Sequence, residues 1–286
     1  MKFKDPSLEK AYIAYYDDMS ISGMRLGYWF AVFLFAVFGI LDYYLMPVSY
    51  KKMWLIRFTV VIPAATAVYL ASYARSLRRY MQGLVAISSV IMGIGIVAMM
   101  AIAESSEPGF RYYYAGLMLV IMGICSVFRL RVSYAVFCIL LITAGYELNA
   151  LFIQGIGHGP ENITGEIFIN NNFFFLASGV IGLLAAYYFE KSSRVEFLQQ
   201  REIADKHNDI KRLLDNMKKE LVLARQIQLS LLPEKCPKMS SARFAAMYRP
   251  MVEVGVDFYD FIRFQENNLL GFFISDVSGH GLPAAI

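Results

Sequence analysis

The chain has 286 residues, of which 57% are hydrophobic and only 17% charged, against about 25% charged in an ordinary soluble domain. Its charges are also unevenly spread: residues 25–189 are nearly charge-free and residues 190–235 are densely charged, which excludes a single water-soluble globule. The formal net charge of +4 is modest, and nucleic acid is not among the expected partners.

The first 24 residues carry no apolar core ahead of a small-residue cleavage site, so no cleavable signal peptide is expected and the segment reads as a cytoplasmic arm. A spanning helix needs about 20 mostly apolar residues. Six stretches within 25–189 qualify: Leu26–Met46, Trp54–Tyr73, Met81–Ala103, Tyr112–Phe128, Tyr134–Ile153 and Asn171–Phe189. Aromatic residues such as Tyr43, Tyr44, Trp54, Tyr112, Tyr113, Tyr187 and Tyr188 crowd their ends, where amphipathic rings favour the headgroup layer. Eleven basic residues fall on the side holding both termini and four on the other. The positive-inside rule then predicts a multi-pass protein of the cell (inner) membrane with both termini in the cytoplasm.

Three ionisable residues, Asp42, Arg57 and Glu147, lie at similar depth toward the outer side. Two readings stand: an outward-facing sensing pocket, or a structural Asp42–Arg57 ion pair. Pro63 is placed to kink the second helix, and Gly93 and Gly95 to let the third pack closely. No acid sits at a helix midpoint and no half-repeat is visible, which argues against a transporter. Cys125, Cys138 and Cys236 lack metal-ligand spacing, and the first two read as small apolar residues.

From residue 190 to 232 there is no Gly or Pro. Apolar positions recur at alternating three- and four-residue steps through Ile203, His207, Ile210, Leu214, Met217, Leu221, Ala224, Gln228 and Leu231. That is the seam of a parallel two-stranded coiled coil, so a homodimer through this stalk is expected, although one amphipathic helix lying on its own domain would show the same stripe. His207 and Gln228 are polar seam positions of the kind that set register.

Residues 233–286 change to short alternating runs. Arg243–Tyr248, Asp257–Phe264 and Leu269–Ser275 read as strands, with Asn267-Asn268 as a turn. The chain then runs Asp276-Val277-Ser278-Gly279-His280-Gly281, an acid at a strand end followed by glycines. Ala224, Ile227-Gln228, Leu231-Leu232-Pro233, Pro250, Val254–Asp260 and Ser275–Ala285, in this order and spacing, resemble the start of a SpoIIE/RsbU-type phosphatase domain of the metal-dependent PPM class. The six-helix part is similar to membrane domains that precede class III nucleotide cyclase domains in bacteria.

The resemblance implies an α/β (αββα sandwich) phosphatase domain, present only as its N-terminal part, behind an all-α six-helix transmembrane bundle and a parallel coiled-coil stalk. It implies two Mn or Mg ions that activate a water for attack on phosphoserine or phosphothreonine. Asp276 would bridge both ions, the backbone carbonyl of Val277 would bind one, and Asp257 would be an acidic partner of the cluster. Asp260 would support the turn, Gly279 and Gly281 would permit close backbone approach, and His280 is a candidate acid. The expected substrate is a phosphorylated regulatory protein such as an anti-sigma-factor antagonist. Val256 departs from the family's usual glycine, and the family's later aspartates lie beyond Ile286, so the 286-residue chain alone is expected to be inactive. The rival expectation is a non-catalytic dimeric membrane receptor or scaffold with a degenerate phosphatase remnant.

Overall fold

The computed structural model describes residues 2–155, 162–240, 242–249, 255, 257–264 and 269–276. The chain divides into two units, Met1–Gln199 and Gln200–Ile286.

In the first unit, helix α1 runs Pro6–Leu45 without interruption. Asp5 caps it by accepting from the Ser7 amide at 2.9 Å, and Pro6 occupies the first turn, where its missing N–H costs nothing. The expected boundary at residue 24 therefore falls inside one helix. Tyr12, Tyr16, Ser20, Met24, Tyr28, Ala31, Phe35 and Asp42 form one buried stripe that ignores the change from polar to apolar sequence. Leu26, Phe33, Ile40 and Tyr44 point outward and stay exposed, as side chains facing lipid do.

Helix α2 covers Tyr50–Ala71. Its segment Arg57–Val61 is a π turn, closed by the Ile62 amide on the Arg57 carbonyl. Pro63 is the cause: its ring would collide with the Thr59 carbonyl in a regular helix, and the wider turn relieves this. After a 3₁₀ segment at Arg75–Tyr80, α3 runs Met81–Ala101 and is the most enclosed helix. A Cβ at Gly93 would lie 2.5 Å from Ile142 Cδ1, and one at Gly95 would strike Val61 Cγ2, so both glycines buy close approach. Gly93→Val is expected to cost about 1–3 kcal/mol by overpacking, read as a lower melting temperature in detergent, with Ile142→Ala in the same chain restoring part of it.

The fourth expected span is divided into a single turn, Gly109–Tyr112, and α4, Tyr114–Ser126. Among the described residues, five helices are therefore long and apolar enough by themselves to cross a membrane, against six expected. The interruption at Tyr113 leaves α4 with 13 residues, short of the about 20 that a spanning helix needs. The Tyr113 hydroxyl meets Asp42 at one end of α1, while just beyond the other end of α4 Phe128 stacks on Tyr28 and Arg129 packs against Gly23. Helix α5 is Val132–Ile153, ending in a π turn at Asn149–Ile153, and α6 is Asn162–Leu231. Between α4 and α5, Arg129 takes φ +50°, and its carbonyl accepts from Tyr16 at 3.0 Å and Gln82 at 3.4 Å. Those bonds hold a conformation that side-chain-bearing residues seldom adopt.

In the second unit, the helix ends before Pro233 and Leu232 is buried. Strands β1, Phe258–Phe264, and β2, Leu269–Ser275, pair antiparallel from Phe258 opposite Ser275 to Phe264 opposite Leu269. Arg243–Tyr248, expected as a strand, forms no ladder among the described residues. It lies beside β1, with the Phe244 and Phe261 rings 6.1 Å apart, but lacks backbone pairing in register.

Candidate functional site

Three polar constellations stand out, two in the first unit and one in the second. In the first, the Arg57 guanidinium grips Asp42 bidentately, Nε to Oδ2 at 2.8 Å and Nη2 to Oδ1 at 2.9 Å. Its Nη1 donates to the Phe35 carbonyl at 3.0 Å. The Tyr113 hydroxyl accepts from Arg57 Nη2 and donates to Asp42 Oδ1, both at 2.6 Å. Asp42 and Arg57 are 1% and 3% exposed. The π turn supplies Arg57, the end of the α1 stripe supplies Asp42, and the break before α4 supplies Tyr113.

This network lines a cleft of about 280 Å³ with mostly apolar walls, among them Phe30 and Phe38 of α1, Ile96 of α3, and Leu119 and Met122 of α4. Sequence reasoning offered an outward-facing sensing pocket or an Asp42–Arg57 ion pair; the structure shows the ion pair, which lines the cleft. Glu147 belongs to neither and one of its carboxylate oxygens is buried with no hydrogen-bond partner among the described residues. Tyr113 was missed because its aromatic run reads as an interfacial belt. Nearby, Glu107 accepts from the Val48, Ser49 and Glu104 amides at 2.9–3.0 Å. Burial alone would raise its carboxyl, but those bonds outweigh burial and hold it below the usual carboxylate range.

At the opposite end of the same unit, Arg194 of α6 takes Glu9 of α1 bidentately at 2.8 and 3.0 Å and Glu190 at 3.0 Å. Glu190 also accepts from the Val132 amide at 3.1 Å, tying in the start of α5. The guanidinium lies 4.1 Å from the Tyr12 ring centre, and Phe197 packs edge-on to Tyr12 at 5.7 Å. This clasp joins the first turns of α1 to α6 beyond its apolar stretch. The hydrogen bonds from Arg194 hold the Glu9 carboxyl down to about 2. No periodicity in the sequence reveals it.

In the second unit, the hairpin register extended by one step sets Asp257 opposite Asp276 at the open end of the ladder. Facing residues there stand about 4.5–5.5 Å apart at Cα. Both are exposed. Asp260 accepts from its neighbour's amide, Phe261, at 2.7 Å. Tyr248, partly buried and near Asp257, has its hydroxyl raised by burial and then by that carboxylate. The Gln228 side-chain amide meets Gly255 twice, donating to its carbonyl at 2.9 Å and accepting from its amide at 3.0 Å. A residue counted in the seam thus fixes the backbone two positions before Asp257.

Along the rest of the seam, Ile203, Ile210, Leu214, Met217 and Leu231 are each more than half exposed within this single chain. Val256, Val277, Gly279, His280 and Gly281 lie outside the described residues. Two carboxylates offer the oxygen donors that hard divalent ions favour. Among the described residues, however, no group of three or more His, Cys, Asp or Glu is placed to hold a metal. Two side chains do not complete a site for two six-coordinate ions.

Residues 40–204 match the MASE8 family, a membrane-associated sensor domain. That stretch takes in the Asp42–Arg57–Tyr113 network and the α6 half of the clasp, but not Glu9 or the hairpin. No curated protein and no solved structure gave a significant match. With more than half of its length matched and its apolar helices arranged as a bundle, the chain is a multi-pass membrane protein that belongs to the MASE8 family.

Proposed function

We propose that this protein is a membrane-anchored signalling phosphatase, in which the transmembrane bundle senses a stimulus and the α6 stalk carries it to a cytoplasmic metal-dependent phosphoserine/phosphothreonine phosphatase domain. The observation that carries the output half is the hairpin register, which sets Asp257 opposite Asp276, the two acids that the PPM resemblance names. The Gln228–Gly255 bond supports it, since it ties the end of the stalk to Gly255, two positions before Asp257. Both termini are cytoplasmic in this reading, because the basic residues concentrate at that end. The stalk dimerises through its exposed aliphatic seam, and the substrate is a phosphorylated regulatory protein.

Leu214→Asp with Ile210→Asp is expected to convert a cross-linkable dimer into a monomer; retained dimer would refute the seam. For the output, Mn-dependent release of phosphate from a phosphoserine protein should occur when the coding frame is read through past Ile286. Asp276→Asn should abolish it and Asp260→Asn should preserve most of it. A read-through protein without hydrolysis favours the second reading, a non-catalytic dimeric receptor or scaffold, which the sparse donor set also supports.

A further inference from the structure

The cleft in the bundle has a definite chemistry. Its walls are mostly apolar; Asp42, Arg57 and Tyr113 line it as one hydrogen-bonded group, and Ser126, at the far end of α4, lines it as well. Phe30, Leu119 and Met122 on its walls are 51%, 45% and 47% exposed, so the mouth opens sideways, toward lipid. Its volume of about 280 Å³ lies near the lower edge of ligand-binding cavities, about 300–1,000 Å³.

The charges select the occupant. The Asp42–Arg57 pair is closed bidentately and sums to zero, so an anionic headgroup would meet the Asp42 carboxylate and a cationic one the guanidinium, each in a medium that screens little. A hydroxyl is different. It can donate to Asp42 Oδ1 and accept from Arg57 Nη2, the same two bonds that the Tyr113 hydroxyl makes. We propose that the cleft binds an uncharged single-chain amphiphile with a hydroxyl headgroup, which takes the place of the Tyr113 hydroxyl on the Asp42–Arg57 pair. Tyr113 stands at the break between the Gly109–Tyr112 turn and α4, so its release frees the start of α4 to shift.

This inference deepens the sensory half of the proposed function and rests on the bundle being a sensor. Its test reads occupancy alone, so failure of the phosphatase assay leaves it standing, and its own failure leaves the output reading intact.

The full chain in phosphatidylcholine nanodiscs is exposed to a dodecanol carrying a photoactivatable diazirine and a terminal alkyne, and labelled peptides are mapped. Label should concentrate on α1 and α4 peptides that wall the cleft. Unlabelled dodecanol should compete about tenfold better than dodecanoate, a difference of about 1.4 kcal/mol. Gly123→Leu should remove most of the label while keeping the melting temperature, since a Cβ there meets nothing closer than Phe128 Cε2 at 3.9 Å and the leucine then fills the space. Tyr113→Phe should strengthen labelling severalfold, because it removes the competing hydroxyl; a merely structural hydroxyl would give weaker labelling or none. Equal competition by dodecanoate, label spread evenly over all lipid-facing helices, or unchanged labelling in Gly123→Leu would each overturn the proposal, the last two meaning that the cleft holds bilayer lipid only.

Discussion

Arg57→Ala should be the most damaging single substitution in the bundle, lowering stability by about 3–5 kcal/mol, because it leaves Asp42 buried and unpaired. Asp42→Ala should cost a similar amount by stranding the guanidinium. Both residues are nearly solvent-free and their bonds span α1, α2 and the start of α4, so the loss disturbs three elements together. Salt should not mimic either change, since a pair this buried is screened little. The double variant Asp42→Leu with Arg57→Met should recover most of the loss, because replacing a buried pair by apolar side chains of similar volume is often close to neutral. The measurement is the melting temperature and monodispersity of each variant in detergent. A double variant as unstable as the singles would show that the pair contributes net attraction beyond the cost of stranding one charge.

Arg194→Ala should rank second, at about 2–4 kcal/mol, with the discount reflecting side chains about a tenth exposed. It removes the bidentate bond to Glu9, the bond to Glu190 and the packing on the Tyr12 ring together. Arg194→Lys should restore little, since an ammonium cannot reproduce the planar fork. The pH dependence has a fixed sign. Glu9 is held below its ordinary value of 4.5, so its share of the stability is complete above about pH 4.5 and is lost as pH falls toward about 2. Acid melting curves of Glu9→Gln should therefore run flatter than wild type in that window. Equal slopes would mean that the Glu9–Arg194 bond does not distinguish the folded from the unfolded chain.

The clasp also bears on signalling. Phe3, ahead of α1, and Glu9 and Tyr12 in its first turns all precede the family match, yet they hold α6 at Arg194 and Phe197, where the helix leaves its apolar stretch. In the proposed function, any movement of α1 at the cleft reaches the stalk through this contact.

How much was legible in advance follows from what a sequence encodes locally. Apolar length alone placed the helices, because lipid demands that each spanning segment satisfy its own backbone and keep its side chains apolar. Alternation and turn residues placed β1 and β2, but their register, which extended by one step sets Asp257 opposite Asp276, came only from the structure. The same local signals misjudged Arg243–Tyr248, whose alternation is right but whose backbone finds no partner strand, and the fourth span, whose break at Tyr113 serves a contact with a distant helix. They also started the first helix about twenty residues late, at Leu26 rather than Pro6, since hydropathy registers the membrane boundary while the buried stripe of α1 continues through it.

The sequence by itself thus determined which segments are helices in lipid and that charged residues at similar depth need partners. Only the tertiary structure decided who those partners are. Asp42, Arg57 and Tyr113 come from three elements, and Glu9 and Arg194 are 185 positions apart. No period of 3.6 or 2 residues links such positions; they meet because the bundle packs distant stretches of the chain together, and a charge in a low-dielectric interior is costly unless a counter-charge is already in place.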